Sequence, residues 1–196
     1  MVRQRQQVLW DHENLATLRS FASVPGLARR RLPDESHVEV ERWTVRFPAS
    51  EPPRLPQGVL KKTYTLKPLV APFGRGLFGE IATLRCLERD GWSGVWVDTY
   101  HGSELFWRGM PHESQRVDLS EEPNAIDLYR GIVSDHGKRG GFFDVFAWSN
   151  DEFLFIEYKG NGDRPNANEG SWIAAARRHG IEAAQLPFAE FASVAP

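Results

Sequence analysis

The sequence predicts an α/β or α+β domain, and three observations carry that expectation. Apolar residues recur at helical spacing over 77–88 and over 168–179. Two runs rich in β-branched and aromatic residues, 142–148 and 153–159, are separated by the short polar turn Asn150-Asp151. Read along the chain, the order is helix, strand, strand, strand, helix, strand, which suits helices packed on a sheet.

Each element follows from its residues. Arg29-Arg30-Arg31 comes after Pro25-Gly26 and reads as a loop. His37 to Phe47 alternates in part, through Val38, Val40, Val45 and Phe47, and reads as a strand. Phe47 to Gly58 holds four prolines in twelve residues, which excludes helix and interior strand. The expected division is therefore a basic extension with a Pro-rich linker over 1–58, followed by a domain over 59–196. Leu77, Ile81, Leu84 and Leu87 mark one face of a helix that Asp90-Gly91 ends. Val95-Trp96-Val97 is a short strand. The long connection from Tyr100 to Gly141 contains a further helical stretch, Ala125 to Asp135. Asn168 to His179 is a helix closed by Gly180, and Ile181 to Leu186 is expected as the last strand.

Composition narrows the class. Of 196 residues, 41% are hydrophobic, enough for a core without disulfides, and the single cysteine, Cys86, excludes an internal disulfide and suits a reducing cytosol. No apolar run approaches the roughly 18 residues of a membrane span, and no signal peptide is expected. The reading is cytoplasmic, with no membrane partner. Net charge is −2, unevenly spread: residues 1–70 carry 12 Lys/Arg against 7 Asp/Glu, and residues 71–196 carry 12 against 19. A basic arm ahead of an acidic body is compatible with a polyanion partner. Phe73 to Gly79 is glycine-rich but lacks the Gly-Lys-Ser/Thr ending of a phosphate loop. The six histidines show no zinc spacing.

The hairpin is the most informative segment. A symmetric loop about Asn150-Asp151 pairs residues whose numbers sum to 301, so Asp144 faces Glu157 directly. Lys159, two residues on, shares that face. Phe146–Phe155 and Trp148–Phe153 continue the pairing, while Phe143, Val145 and Ala147 oppose Leu154, Ile156 and Tyr158. Both faces are apolar, so the hairpin belongs in the middle of a sheet. Two facing carboxylates in such a place repel each other unless a cation or a proton intervenes. Oxygen ligands suit Mg²⁺ or Mn²⁺, and a nearby lysine stabilises charge developing on a phosphate. Spacing alone leaves a structural Glu–Lys ion pair equally open.

Gly140-Gly141-Phe142-Phe143-Asp144-Val145-Phe146-Ala147-Trp148, then Phe155-Ile156-Glu157-Tyr158-Lys159-Gly160-Asn161-Gly162-Asp163-Arg164, then Trp172 resembles the VRR-NUC branch of the PD-(D/E)XK nucleases. The resemblance is close over 140–185. It implies a restriction-endonuclease-like αβββαβ core, with a mixed central sheet flanked by helices, behind the N-terminal extension. It also implies Mg²⁺- or Mn²⁺-dependent cleavage of DNA. Asp144 and Glu157 would be metal ligands, the backbone carbonyl of Tyr158 a further ligand, and Lys159 the catalytic lysine. An acid on the first helix would complete the site; Glu80 is the first candidate and Glu88 the second. Lys138, Arg139 and Arg164 are the expected nucleic-acid contacts.

Two positions depart from the family pattern. Phe143 replaces a proline that shapes the backbone. Glu169 replaces a glutamine, and its charge would either disturb metal affinity or add an accessory ligand. The expected partner is DNA, including branched or single-stranded ends, with the arm over 1–58 available to a protein partner and homodimerisation compatible with both. The alternative is a nuclease-fold binding or regulatory module with little or no activity.

Overall fold

The computed structural model describes residues 13–23, 26–59, 64, 66–98, 104–114, 116–138, 140–150, 152–159 and 166–191. Its centre is the hairpin of β6 (Val145–Ser149) and β7 (Glu152–Lys159), turned at Asn150 with φ of 53°. Asparagine tolerates this left-handed conformation. Phe146 pairs with Phe155 and Trp148 with Phe153, the expected register.

Around this hairpin the described strands form an eight-stranded mixed sheet. The others are β1 (Gly26–Arg31), β2 (His37–Val45), β3 (Ser93–Val97), β4 (Phe106–Trp107), β5 (Arg116–Val117) and β8 (Phe188–Phe191), and the order is β1-β2-β8-β7-β6-β3-β4-β5. Pairing is antiparallel except where β8 lies parallel to both β7 and β2. A parallel neighbour needs a crossover, and α4 (Ala167–Arg178) supplies it between β7 and β8.

Alternation along the strands splits the core in two. Phe146, Trp148 and Phe155 face a layer built from α3 (Pro123–His136) and α4. Val145, Ala147, Leu154 and Ile156 face the opposite layer, with α1 (Ala16–Arg19) and α2 (Gly79–Arg89). Helices therefore cover both faces, which explains the near-continuous apolar hairpin. Trp172 of α4 is fully buried, with Tyr129, His136, Phe142, Phe143 and Phe155 around it at ring-centroid distances of 5.3–6.4 Å.

Several sequence expectations change. Arg29-Arg30-Arg31 is not a loop but part of β1, paired with β2. A charged strand is hard to read locally; here the Arg30 guanidinium covers the Phe188 ring at 4.0 Å, so a long cation serves as apolar cover. The sheet also runs across the expected boundary at residue 58, because β2 pairs with β8. The segment read as a docking arm thus contributes two strands to the same sheet. The last strand is Phe188–Phe191, not Ile181–Leu186. A capping box between Glu182 and Gln185 instead folds Ala183–Gln185 into a 3₁₀ turn. The strand beginning at Phe142 starts only at Val145. Among the described residues no helix is long and apolar enough to cross a membrane.

Gly170 shows how closely β1 approaches α4. A Cβ there would lie 2.2 Å from the Arg31 carbonyl oxygen. Alanine normally improves a helix by about 1 kcal/mol over glycine. Here Gly170→Ala is expected to destabilise by about 1–3 kcal/mol, because backbone must move. Urea denaturation reads the outcome, and an unchanged or raised midpoint would show that β1 does not press on α4.

Candidate functional site

The charged groups gather where β6 begins and β7 ends. Asp144 sits just before β6, and its carbonyl accepts a hydrogen bond from the Val97 N–H at 2.7 Å. Its Oδ2 accepts from the Tyr158 N–H at 2.9 Å. The N–H and C=O of one strand residue point to the same edge, so the Tyr158 carbonyl shares the edge that its N–H gives to Asp144. The phenol goes the other way and hydrogen-bonds the Thr83 hydroxyl on α2.

Glu157 is 8% exposed and Glu169 2%. Lys159 lies between them: its Nζ donates to Glu157 Oε1 at 2.9 Å and also to Glu169 Oε1. Glu169 enters from the first turn of α4. From the opposite layer, Glu80 enters from the first turn of α2, where a carboxylate complements the helix dipole. It pairs with Lys67. The Lys67 ammonium lies 5.1 Å from the Trp96 ring centroid. Asp98, at the end of β3, is buried and accepts from the Tyr64 hydroxyl.

This arrangement carries more negative than positive charge. Glu80, Asp98, Asp144, Glu157 and Glu169 stand against Lys67, Lys159 and Arg30. Burial, and after it the charge of Glu80, pushes the Asp144 carboxyl up to about 7. Burial, with Asp144 next, holds Glu157 well above the carboxylate range. Burial pulls the Lys159 ammonium down, but Glu157 and Glu169 outweigh it and raise it above its ordinary value. Lys67 behaves alike, through Glu80, Asp144 and Asp98. One oxygen of Glu157 and one of Glu169, both Oε2, are buried without a hydrogen-bond partner. Orphaned carboxylate oxygens beside repelling neighbours fit a hard divalent cation in chemistry and in charge. Among the described residues no three His, Cys, Asp or Glu side chains are already gathered at ion-holding spacing.

No family model and no curated protein matches this chain.

The remaining expected residues divide. Glu88, the second helix acid, pairs with Arg85 on its own helix. Lys138 is exposed, and its Nζ donates to Ser171 Oγ at 2.7 Å. Arg139 and Arg164 lie outside the described residues. Glu169, expected as a disturbance or an extra ligand, has Lys159 as its partner. Lys67 was missed: Leu66-Lys67-Pro68 carries no motif, and only the fold brings it to Glu80.

Proposed function

We propose that this chain is a metal-dependent nuclease that hydrolyses DNA phosphodiester bonds on a restriction-endonuclease-like core. The observation that carries the reading is the meeting of Asp144, Glu157 and Lys159 at the open end of one hairpin, with a buried carboxylate oxygen left unpartnered. The path α2, β3, β6, β7, α4, β8, with β4, β5 and α3 inserted, supports it, because it follows the element order the resemblance implies.

Mg²⁺ or Mn²⁺ would be held by Asp144, Glu157 and the Tyr158 carbonyl, with Glu80 from α2. Bound there, the ion would lower the pKa of a water and offset charge on the phosphate. In the metal-free chain Glu157 and Glu169 hold the Lys159 ammonium above its ordinary value, which favours Lys159 as a hydrogen-bond donor over Lys159 as the base. An ammonium has three donors. Glu157 and Glu169 take one each, which leaves one N–H for the attacking water or a phosphate oxygen. Glu169 is therefore a positioning residue that fixes where that third N–H points.

The second reading, a binding module without cleavage, is favoured by one observation. Glu80, Glu157 and Glu169 already have lysine counter-ions. Incubation with single-stranded, duplex and branched DNA plus Mg²⁺ or Mn²⁺, with Asp144→Ala alongside, separates the two. Calorimetric titration with Mn²⁺ runs in parallel. Nuclease action predicts metal-dependent cleavage lost in Asp144→Ala and Mn²⁺ binding at millimolar concentration or below. Cleavage that survives the substitution sinks the site assignment, and no Mn²⁺ binding favours the module.

A further inference from the structure

We propose that the cavity between β1 and the N-terminal turns of α4 binds a backbone phosphate of the DNA strand whose scissile group lies at Lys159. The choice of DNA rests on the nuclease reading; the anion preference rests on the cavity itself. The cavity has a volume of about 550 Å³, and Arg30, Arg31, Lys138, Glu35, Gly170 and Ser171 are among its walls.

Arg31 and Glu35 pair with each other at 2.9 Å, which leaves Arg30 and Lys138 as the cations of this wall, with Glu169, Glu190 and Glu157 acting on Arg30 from the candidate-site side. Arg30 and Lys138 keep donor capacity. The Arg30 Nε is buried without a hydrogen-bond partner. Lys138 gives one N–H to Ser171 Oγ and has two more. The positive end of α4 adds to the same potential. Gly170 matters for shape, since any side chain there would strike the Arg31 carbonyl and force β1 away from the helix.

The cavity also lies beside the candidate site. One ring, Phe188, has the Arg30 guanidinium 4.0 Å and the Lys159 ammonium 5.9 Å from its centroid. The two cations are separated by at most roughly three nucleotide steps of a stacked strand. A strand with one phosphate at Lys159 therefore carries a neighbouring phosphate to Arg30, on the wall of the cavity that Lys138 also lines. β1 belongs to the segment read from sequence as an extension, so that segment supplies part of a substrate groove.

The test is binding of a fluorescein-labelled 20-nucleotide single-stranded DNA in EDTA, followed by anisotropy across a salt series. EDTA removes cleavage, so failure of this proposal and failure of the nuclease reading are read separately. Arg31→Ala/Lys138→Ala is expected to weaken binding at least tenfold and to reduce the slope of log K against log salt by roughly 1.4, the single-strand value for two phosphate contacts. Arg19→Ala/Arg46→Ala, which removes the same charge from exposed positions elsewhere, is expected to change affinity less than twofold. If the first double variant does not fold, Lys138→Gln alone is expected to reduce the slope by roughly 0.7. Unchanged affinity and slope in the cavity variants overturns the proposal. So does displacement of the oligonucleotide by low-millimolar inorganic phosphate, which would make free phosphate the ligand.

Discussion

Lys159→Ala is expected to lower metal-dependent DNA cleavage by about 10²–10³-fold, the usual cost of one electrostatic donor at a reacting centre. The size follows from its position. Its Nζ bridges Glu157 and Glu169, and one N–H remains, which the proposed mechanism assigns to the water or the phosphate. The same change leaves two buried carboxylates without their cation. In EDTA the variant should lose about 3–5 kcal/mol of stability, as when one partner of a buried ion pair is removed. Mn²⁺ should restore part of that loss, because a divalent ion supplies the missing positive charge. Glu169→Gln is the milder change: Lys159 keeps Glu157, so the rate should fall less than tenfold. Single-turnover cleavage at saturating Mn²⁺ and urea melts with and without metal give the readouts. A Lys159→Ala rate within threefold of wild type would remove Lys159 from the chemistry.

Asp144→Asn is expected to abolish cleavage and yet to stabilise the metal-free protein at pH 8. Burial first, and then Glu80, lift the folded-state carboxyl from 3.8 to about 7. A folded pKa above the unfolded one means that the native state binds the proton more tightly. The resulting stability is full below the unfolded value and is lost as pH rises through about 7, roughly 4 kcal/mol at most. Glu157 is shifted in the same direction. Lys67 and Lys159 stay charged across this window, since both lie above 10.5. Asparagine keeps an oxygen for the Tyr158 N–H and has no charge to bury. The difference between wild type and Asp144→Asn, measured by urea melts in EDTA from pH 5 to pH 8, should therefore grow in favour of the variant. Added Mn²⁺ should reverse the order at pH 8. A difference that stays flat with pH would show that Asp144 is not forced to hold a proton.

How much of this was legible depended on the range of the interaction. The β6–β7 register follows from period-2 alternation and a turn at Asn150, both local, as far as Val145–Ile156; Asp144, expected to face Glu157, instead lies just ahead of β6 and accepts from the Tyr158 N–H. Helices α2 and α4 were legible from 3.6-residue spacing and their stops at Gly91 and Gly180. β1 was not, because Arg29, Arg30 and Arg31 acquire strand character only by pairing with β2 and covering Phe188. β8 lies later than expected because 181–186, which buries Ile181, Ala183 and Leu186, folds as a turn, and the strand forms after Pro187, where β2 and β7 flank it.

For the candidate site the division is similar. The sequence by itself determined that Glu157 shares a strand face with Lys159, because alternation is a property of the chain. Only the tertiary structure decided that Lys67 meets Glu80 and that Glu169 grips Lys159. Only it decided that the arginines of β1 line a cavity against α4. Those contacts join residues on elements that no local periodicity relates, and they exist because helices pack on both faces of one sheet.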